Sequence, residues 1–233
     1  MDEKKFVQLK KEELEVREYI KNSLGKGRIS EVTIEYTPVG EKIIVSTNRP
    51  GMVIGTRGEK IDELTSVLKK RFHLDNPHIE IHDITQPLFD AQLVADEIAI
   101  QLERKGSLKF KLISYKMLGD IMKAGALGSE IVLSGKLPSD RARSWRFAQG
   151  YLKKTGDPAK VVKRAMAQAR TIAGVVGIKV SILPPTAEIH DRIVVDQSLI
   201  NLIKSQAIKS EEPAQPKKPK RTTKKTLKNK EKE

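Results

Sequence analysis

Val53-Ile54-Gly55-Thr56-Arg57-Gly58-Glu59-Lys60-Ile61 joins an extended run, Lys42-Ile43-Ile44-Val45-Ser46, to a segment in which Ile61, Leu64, Leu68 and Phe72 recur at helical spacing. Two glycines flanking two variable residues leave the backbone without a Cβ at either end, so another chain can come close. A helix start adds unpaired N–H groups and a partial positive charge that favour phosphate, and Arg57 adds a full charge. These features describe a clamp for a sugar–phosphate chain. The spacing alone is weak support, because 15 glycines in 233 residues produce about one Gly-x-x-Gly by chance. Gly125–Gly128 and Gly174–Gly177 repeat the spacing, but strand-like residues follow each of them, so neither opens a helix.

Upstream of the loop, residues 3–24 read as a helix with Phe6, Leu9, Val16, Ile20 and Leu24 on one face and Gly25 and Gly27 closing it. Ile29 to Tyr36 alternates as a strand, Pro38-Val39-Gly40 turns, and Lys42 to Thr47 returns. Downstream, His78 to Ile84 alternates as a third strand, and Leu88, Ala91, Ala95, Ile98 and Leu102 mark a helix that ends at Lys105-Gly106. A domain boundary is placed at Lys105-Gly106-Ser107. The next helix covers 108–124, with Phe110, Ile113, Met117, Ile121 and Ala124 as its apolar stripe. Glu130 to Gly135 and Val175 to Leu183 read as strands, and residues 141–153 look extended. The Ala/Met/Gln content of Val161 to Ala173 favours helix. Beyond about Ser205 the Pro/Lys/Thr-rich tail has too little apolar surface to fold, and disorder is expected.

Net charge is +14, which points to a polyanionic partner. Residues 209–233 carry +6 of it, leaving +8 for the rest. No basic amphipathic helix with bulky aromatic anchors stands out, so nucleic acid is favoured over a membrane surface. The absence of cysteine excludes disulfides, thiolate metal sites and cysteine nucleophiles, and fits a reducing compartment. The charged start lacks the apolar stretch of a secretory signal, and no run approaches the roughly 18 apolar residues that span a bilayer. A cytoplasmic protein is expected.

No catalytic constellation, metal site or cofactor motif emerges. His78 and His82 are four apart, a metal spacing on a helix, but in a strand they stand about 13 Å apart, too far to share an ion. His73 and His190 have no evident local partners. There is no Gly-x4-Gly-Lys-Ser/Thr loop for nucleotide hydrolysis. Asp62-Glu63 suit the N-terminal turn of a helix. An enzyme is not expected.

The string Val53 to Ile61 resembles the core signature of K-homology RNA-binding domains, and the strands around it are similar to the prokaryotic, type II topology. Further motifs follow in order: Ala124-Gly125-Ala126-Leu127-Gly128, Ser134-Gly135-Lys136-Leu137, Arg141-Ala142-Arg143, Gly156-Asp157-Pro158 and Gly174-Val175-Val176-Gly177-Ile178-Lys179-Val180. Together they resemble the universal family of third proteins of the small ribosomal subunit, in its archaeal and eukaryotic form, over about residues 3–185. The resemblance implies an α+β chain: a type II K-homology domain with its N-terminal helix (1–105), a two-layer α/β domain (107–203) and a disordered basic tail (204–233). It implies a strand at 161–173, against propensity. It also implies a place on the subunit head, contact with small-subunit rRNA and neighbouring head proteins, and a share of the channel where messenger RNA enters.

Residues assigned to RNA on this combined reading are Gly55, Thr56, Arg57, Gly58 and Lys60 in the loop, Lys109, Lys111 and Lys116 on the 108–124 helix, and Lys136, Arg141, Arg143 and Arg146 beyond it. Lys105, Lys109, Lys116 and Lys123 share a narrow sector of that helix, a row that opposes helix stability unless an anion compensates. Arginines around Trp145 and Phe147 suit phosphate contact and base stacking, although Trp145 is equally readable as core. The family usually has two adjacent basic residues where this chain has Lys111 and Leu112, so the resemblance supports Lys111 alone. Leu127 likewise stands where a lysine is common. The competing reading is a free-standing RNA-binding regulator, which would rarely need the second domain and long cationic tail.

Overall fold

The computed structural model describes residues 2–38, 40–72, 74, 76–189, 200, 201 and 203. The chain divides into two units, 1–190 and 191–233. Everything below belongs to the first; the predicted tail at 204–233 lies outside the described residues, as do His73 and His190.

Helix α1 (Asp2–Leu24) leads into strands β1 (Ile29–Thr37) and β2 (Gly40–Thr47), which pair antiparallel with Val32 opposite Val45 and Ile34 opposite Ile43. Strand β3 (His78–Asp83) pairs parallel with β2, setting Ile79 beside Ile43 and Ile81 beside Val45. A parallel neighbour requires a crossover, and α2 (Pro50–Ile54) and α3 (Glu59–Phe72) supply it. Val16, Ile20, Leu24, Val32, Ile43, Val45, Val53, Leu64 and Leu68 form the first core. Phe6 and Leu9, predicted for its helical face, are instead 61 % and 49 % exposed. The apolar stripe of α1 is longer than the surface available to it, and burial starts only at Glu13 and Val16.

The second core lies under a four-stranded antiparallel sheet ordered β5-β4-β7-β6, built from β4 (Gly128–Gly135), β5 (Arg143–Gly150), β6 (Lys163–Thr171) and β7 (Gly174–Leu183). Helices α4 (Ala91–Lys105) and α5 (Phe110–Lys123) pack on one face of it. The apolar face of α4 joins this cluster, so the two cores part between Ile81 and Phe89 rather than at the sequence boundary near Gly106. Asp90 sets the start of α4 by accepting the Gln92 N–H at 3.0 Å. Ala124, expected on the buried stripe of α5, is exposed just past its last turn, and Leu118 is buried instead.

Residues 163–171 are a strand despite their helical composition. Tertiary pairing overrides propensity here: Ala165, Ala167 and Ala169 stand opposite Val180, Ile178 and Val176 of β7, and α4 lies against the same strand. Small side chains at alternate positions let a helix come close to the sheet.

The loop between α1 and β1 ties the cores together. Gly27 N–H donates to Asp96 Oδ2 of α4 at 3.0 Å, while Lys26 Nζ reaches Glu103 at 3.4 Å and the Gln168 carbonyl at 3.1 Å. Glu103 also accepts the Arg170 N–H at 2.9 Å. Burial pushes the Asp96 carboxyl above its ordinary range, against the opposing hydrogen bonds from Gly27 and Gln92.

Candidate nucleic-acid interface

Val53 is buried while Thr56 and Arg57 are exposed, so α2 is pinned and the loop after it projects. Gly55 ends α2 at φ 76°, ψ −174°, with its N–H on the Gly51 carbonyl at 3.1 Å. Arg57 has φ 55°, the only positive value among described non-glycine residues, and Gly58 follows at φ 88°. This succession turns the chain from α2 into α3 within one short turn, Thr56–Gly58. A Cβ at Gly55 would stand 2.8 Å from Lys60 Cγ, whereas one at Gly58 would meet nothing within 4 Å. One glycine therefore admits a side chain from the first turn of α3, and the other leaves open space for something outside the loop.

The electrostatics are mixed. Arg57 is exposed and can meet an anion, but Glu59 and Asp62 already occupy the first turn of α3 and offset its dipole. Lys60 bends back, its ammonium donating to the Met52 carbonyl at 3.4 Å.

The remaining assigned cations gather on α5 and the β4–β5 hairpin. Lys109 and Lys116 are exposed. The Lys111 ammonium lies 4.8 Å from the Trp145 ring centroid and 5.9 Å from that of Phe110, a favourable cation–ring contact. Trp145 itself packs on the second core, 5.3 Å from Phe110, and Phe147 is buried, so neither ring is a free stacking platform. Lys136, Arg141 and Arg143 are exposed around the hairpin turn, where Gly135 pairs with Arg143.

Arg146 points to the opposite face of the sheet. There its guanidinium and Lys154 Nζ both donate to Glu130, the lysine at 2.9 Å. Burial alone would raise the Glu130 carboxyl, but the two cations outweigh it and hold the group below its ordinary value. Arg164 and Lys179 share this face, and with Glu130, Val132, Lys154 and Met166 they line a hollow of about 660 Å³. Sequence reasoning missed Lys154, Arg164 and Lys179. Strand alternation in 163–171 places Arg164 opposite the alanines and would have found it, had the segment been read as extended.

Two family models match the chain: the KH domain at residues 15–87 and the C-terminal domain of ribosomal protein S3 at residues 98–182. Small ribosomal subunit protein uS3 of Methanocaldococcus jannaschii is 39% identical over 198 residues, covering 84% of this chain and 94% of the relative. The chain belongs to the uS3 family. Its relative from Haloarcula marismortui is 36% identical over 82% of this chain and 62% of its own length, and that from Methanosphaera stadtmanae 34% over 84% and 78%. The family drawn from the motif series is thus borne out, as is the order of a KH domain followed by the S3 C-terminal domain.

Proposed function

We propose that this chain binds small-subunit rRNA in the head of the small ribosomal subunit, and lines the channel through which messenger RNA enters during translation. Membership of the uS3 family supports the ribosomal part. The observation that supports RNA contact is the loop: exposed Thr56 and Arg57 between two positive-φ glycines, one of them open to an approaching backbone. Gly55, Thr56, Arg57 and Gly58 form the first contact, with Lys60 fixing the loop's shape. Lys109, Lys111 and Lys116, with Lys136, Arg141 and Arg143, form a second contact that meets the message or rRNA. Arg146 contributes its charge through the Glu130 cluster. Neighbouring head proteins are the remaining partners, the chain acts on ribosomes in the cytoplasm, and it acts by binding rather than catalysis.

A sucrose-gradient profile of native extract after a high-salt wash tests the reading. Stoichiometric recovery in small subunits and polysomes is expected. A peak at the top of the gradient would replace it with the free regulator.

A further inference from the structure

The second sheet has helices on one face only. Strand alternation turns Ile131, Leu133, Ile178 and Val180 into the core beneath α4 and α5, and sets Glu130, Val132, Lys179 and Ser181 on the other face. The register lays rows of side chains across that open face. Arg146 of β5 and Lys179 of β7 both stand opposite Val132, while Arg164 of β6 stands opposite Ser181, itself opposite Glu130.

Four cations, Arg146, Lys154, Arg164 and Lys179, thus share this surface with the Glu130 carboxylate. Glu130 engages Arg146 and Lys154. Arg164 gives one N–H to the Lys154 carbonyl at 3.2 Å, and among the described residues neither it nor Lys179 pairs with a carboxylate. Diagonal neighbours on adjacent strands lie about 7–8 Å apart, so the long side chains of Arg164 and Lys179 can close on one anionic group. Like charges held so near repel, and an anion between them relieves the repulsion.

The make-up of the face selects RNA over an acidic protein. Its middle is lysine, serine and glutamate, which protein interfaces deplete at their centres. The apolar part of the hollow, Val132, Leu152 and Met166, offers no aromatic anchor of the kind that carries such an interface. The row nearer the β4–β5 turn, Ser144, Ser134 and Gly177, is low enough for a sugar–phosphate backbone to lie across the strands.

We propose that this open face holds a second RNA segment by its phosphates, with Arg164 and Lys179 as the principal ligands. The inference rests on the reading of the chain as an RNA-binding protein. The open face and α5 lie on opposite sides of the sheet, so one short segment cannot serve both, and the domain joins two. With no ring in the hollow to stack a base, the backbone is what this face recognises.

The test is lysine footprinting of the full chain, free and saturated with a transcript of small-subunit rRNA. Lysines are acetylated with an N-hydroxysuccinimide ester and read by mass spectrometry. Several-fold protection of Lys179 is expected together with that of Lys116 on α5. Arg164→Gln combined with Lys179→Gln should weaken the transcript about tenfold and reduce the slope of log affinity against log salt by about 1.4–1.8. Protection of Lys116 and the unfolding temperature should not change, because both altered side chains are exposed. Lys116 protected with Lys179 labelled as in the free chain would overturn the second segment and leave the RNA-binding reading standing. Neither lysine protected would overturn both. Equal protection of Lys179 by polyglutamate at the same charge concentration would show a site for any polyanion, an acidic protein included, and count against RNA as its occupant.

Discussion

Replacing Gly55 by alanine asks whether the loop is held by its own backbone or by the side chain folded over it. At φ 76°, ψ −174°, a residue with a Cβ is strained by about 1–3 kcal/mol. The added Cβ would also sit 2.8 Å from Lys60 Cγ. That neighbour is a flexible side chain and can swing aside, losing only its exposed 3.4 Å bond to the Met52 carbonyl. Backbone strain therefore sets the magnitude, and the variant should lose about 1–3 kcal/mol, or roughly 2–4 °C of melting temperature per kcal/mol in a unit of this size. Thermal and urea unfolding of Gly55→Ala, Lys60→Ala and the double variant separate the two causes. If strain dominates, the double variant loses as much relative to Lys60→Ala as the single one does relative to the parent. Recovery of stability in the double variant would refute the argument, since it would trace the cost to the contact. Gly58→Ala supplies the contact-free comparison: with φ 88° and open space around it, it should cost about 1–2 kcal/mol.

Changing Thr56 and Arg57 together to aspartate should weaken binding to an rRNA fragment and flatten its salt dependence, with unfolding unchanged; equal affinity at fixed salt would argue against the loop. Glu130→Gln should cost about 1–2 kcal/mol at neutral pH, because Arg146 and Lys154 are more than half exposed and solvent screens them. The folded-state carboxyl is depressed, so its stabilisation is complete above its ordinary value of 4.5 and disappears as pH falls through the folded value; urea midpoints from neutral to acidic pH should converge for parent and variant, and parallel curves would contradict this. Asp96→Ala strips Gly27 N–H and Gln92 of their acceptor and should cost about 1–3 kcal/mol by urea unfolding. Ala169→Leu, at a fully buried position of β6, should overpack that strand and lose about 1–3 kcal/mol in the same assay.

Local pattern made much of the first core legible. Val32, Ile43, Val45, Leu64 and Leu68 follow strand and helix periods that each can be read without the others, and all are buried. The glycine loop was legible because φ constraints belong to single residues. Features that depend on distant partners were not. Ala165, Ala167 and Ala169 have helical propensity, and only β7 and α4 make them a strand. Nothing local tells Phe6 from Val16; the extent of the surface beneath α1 does. The assignment of Arg146 to RNA could not anticipate Glu130, which lies opposite its neighbour Ala148 across β4 and β5. The wrong core for α4 has the same origin, since adjacency along the chain suggested a packing that the sheet decides otherwise.

The placement of α4 also has a consequence for synthesis. The first core is complete once β3 has been made, and α4 follows it directly. Its apolar face, however, packs on β6 and β7, which begin only at Lys163 and Gly174. At about 5–20 residues per second, the stretch separating Lys105 from Lys163 takes on the order of 3–12 s to translate. Throughout that interval a folded domain carries a helix whose leucine, isoleucine and alanine face has no sheet to rest on. The nascent chain thus passes through a state that is half native and half adhesive, and its yield depends on how that helix is shielded until the last two strands arrive.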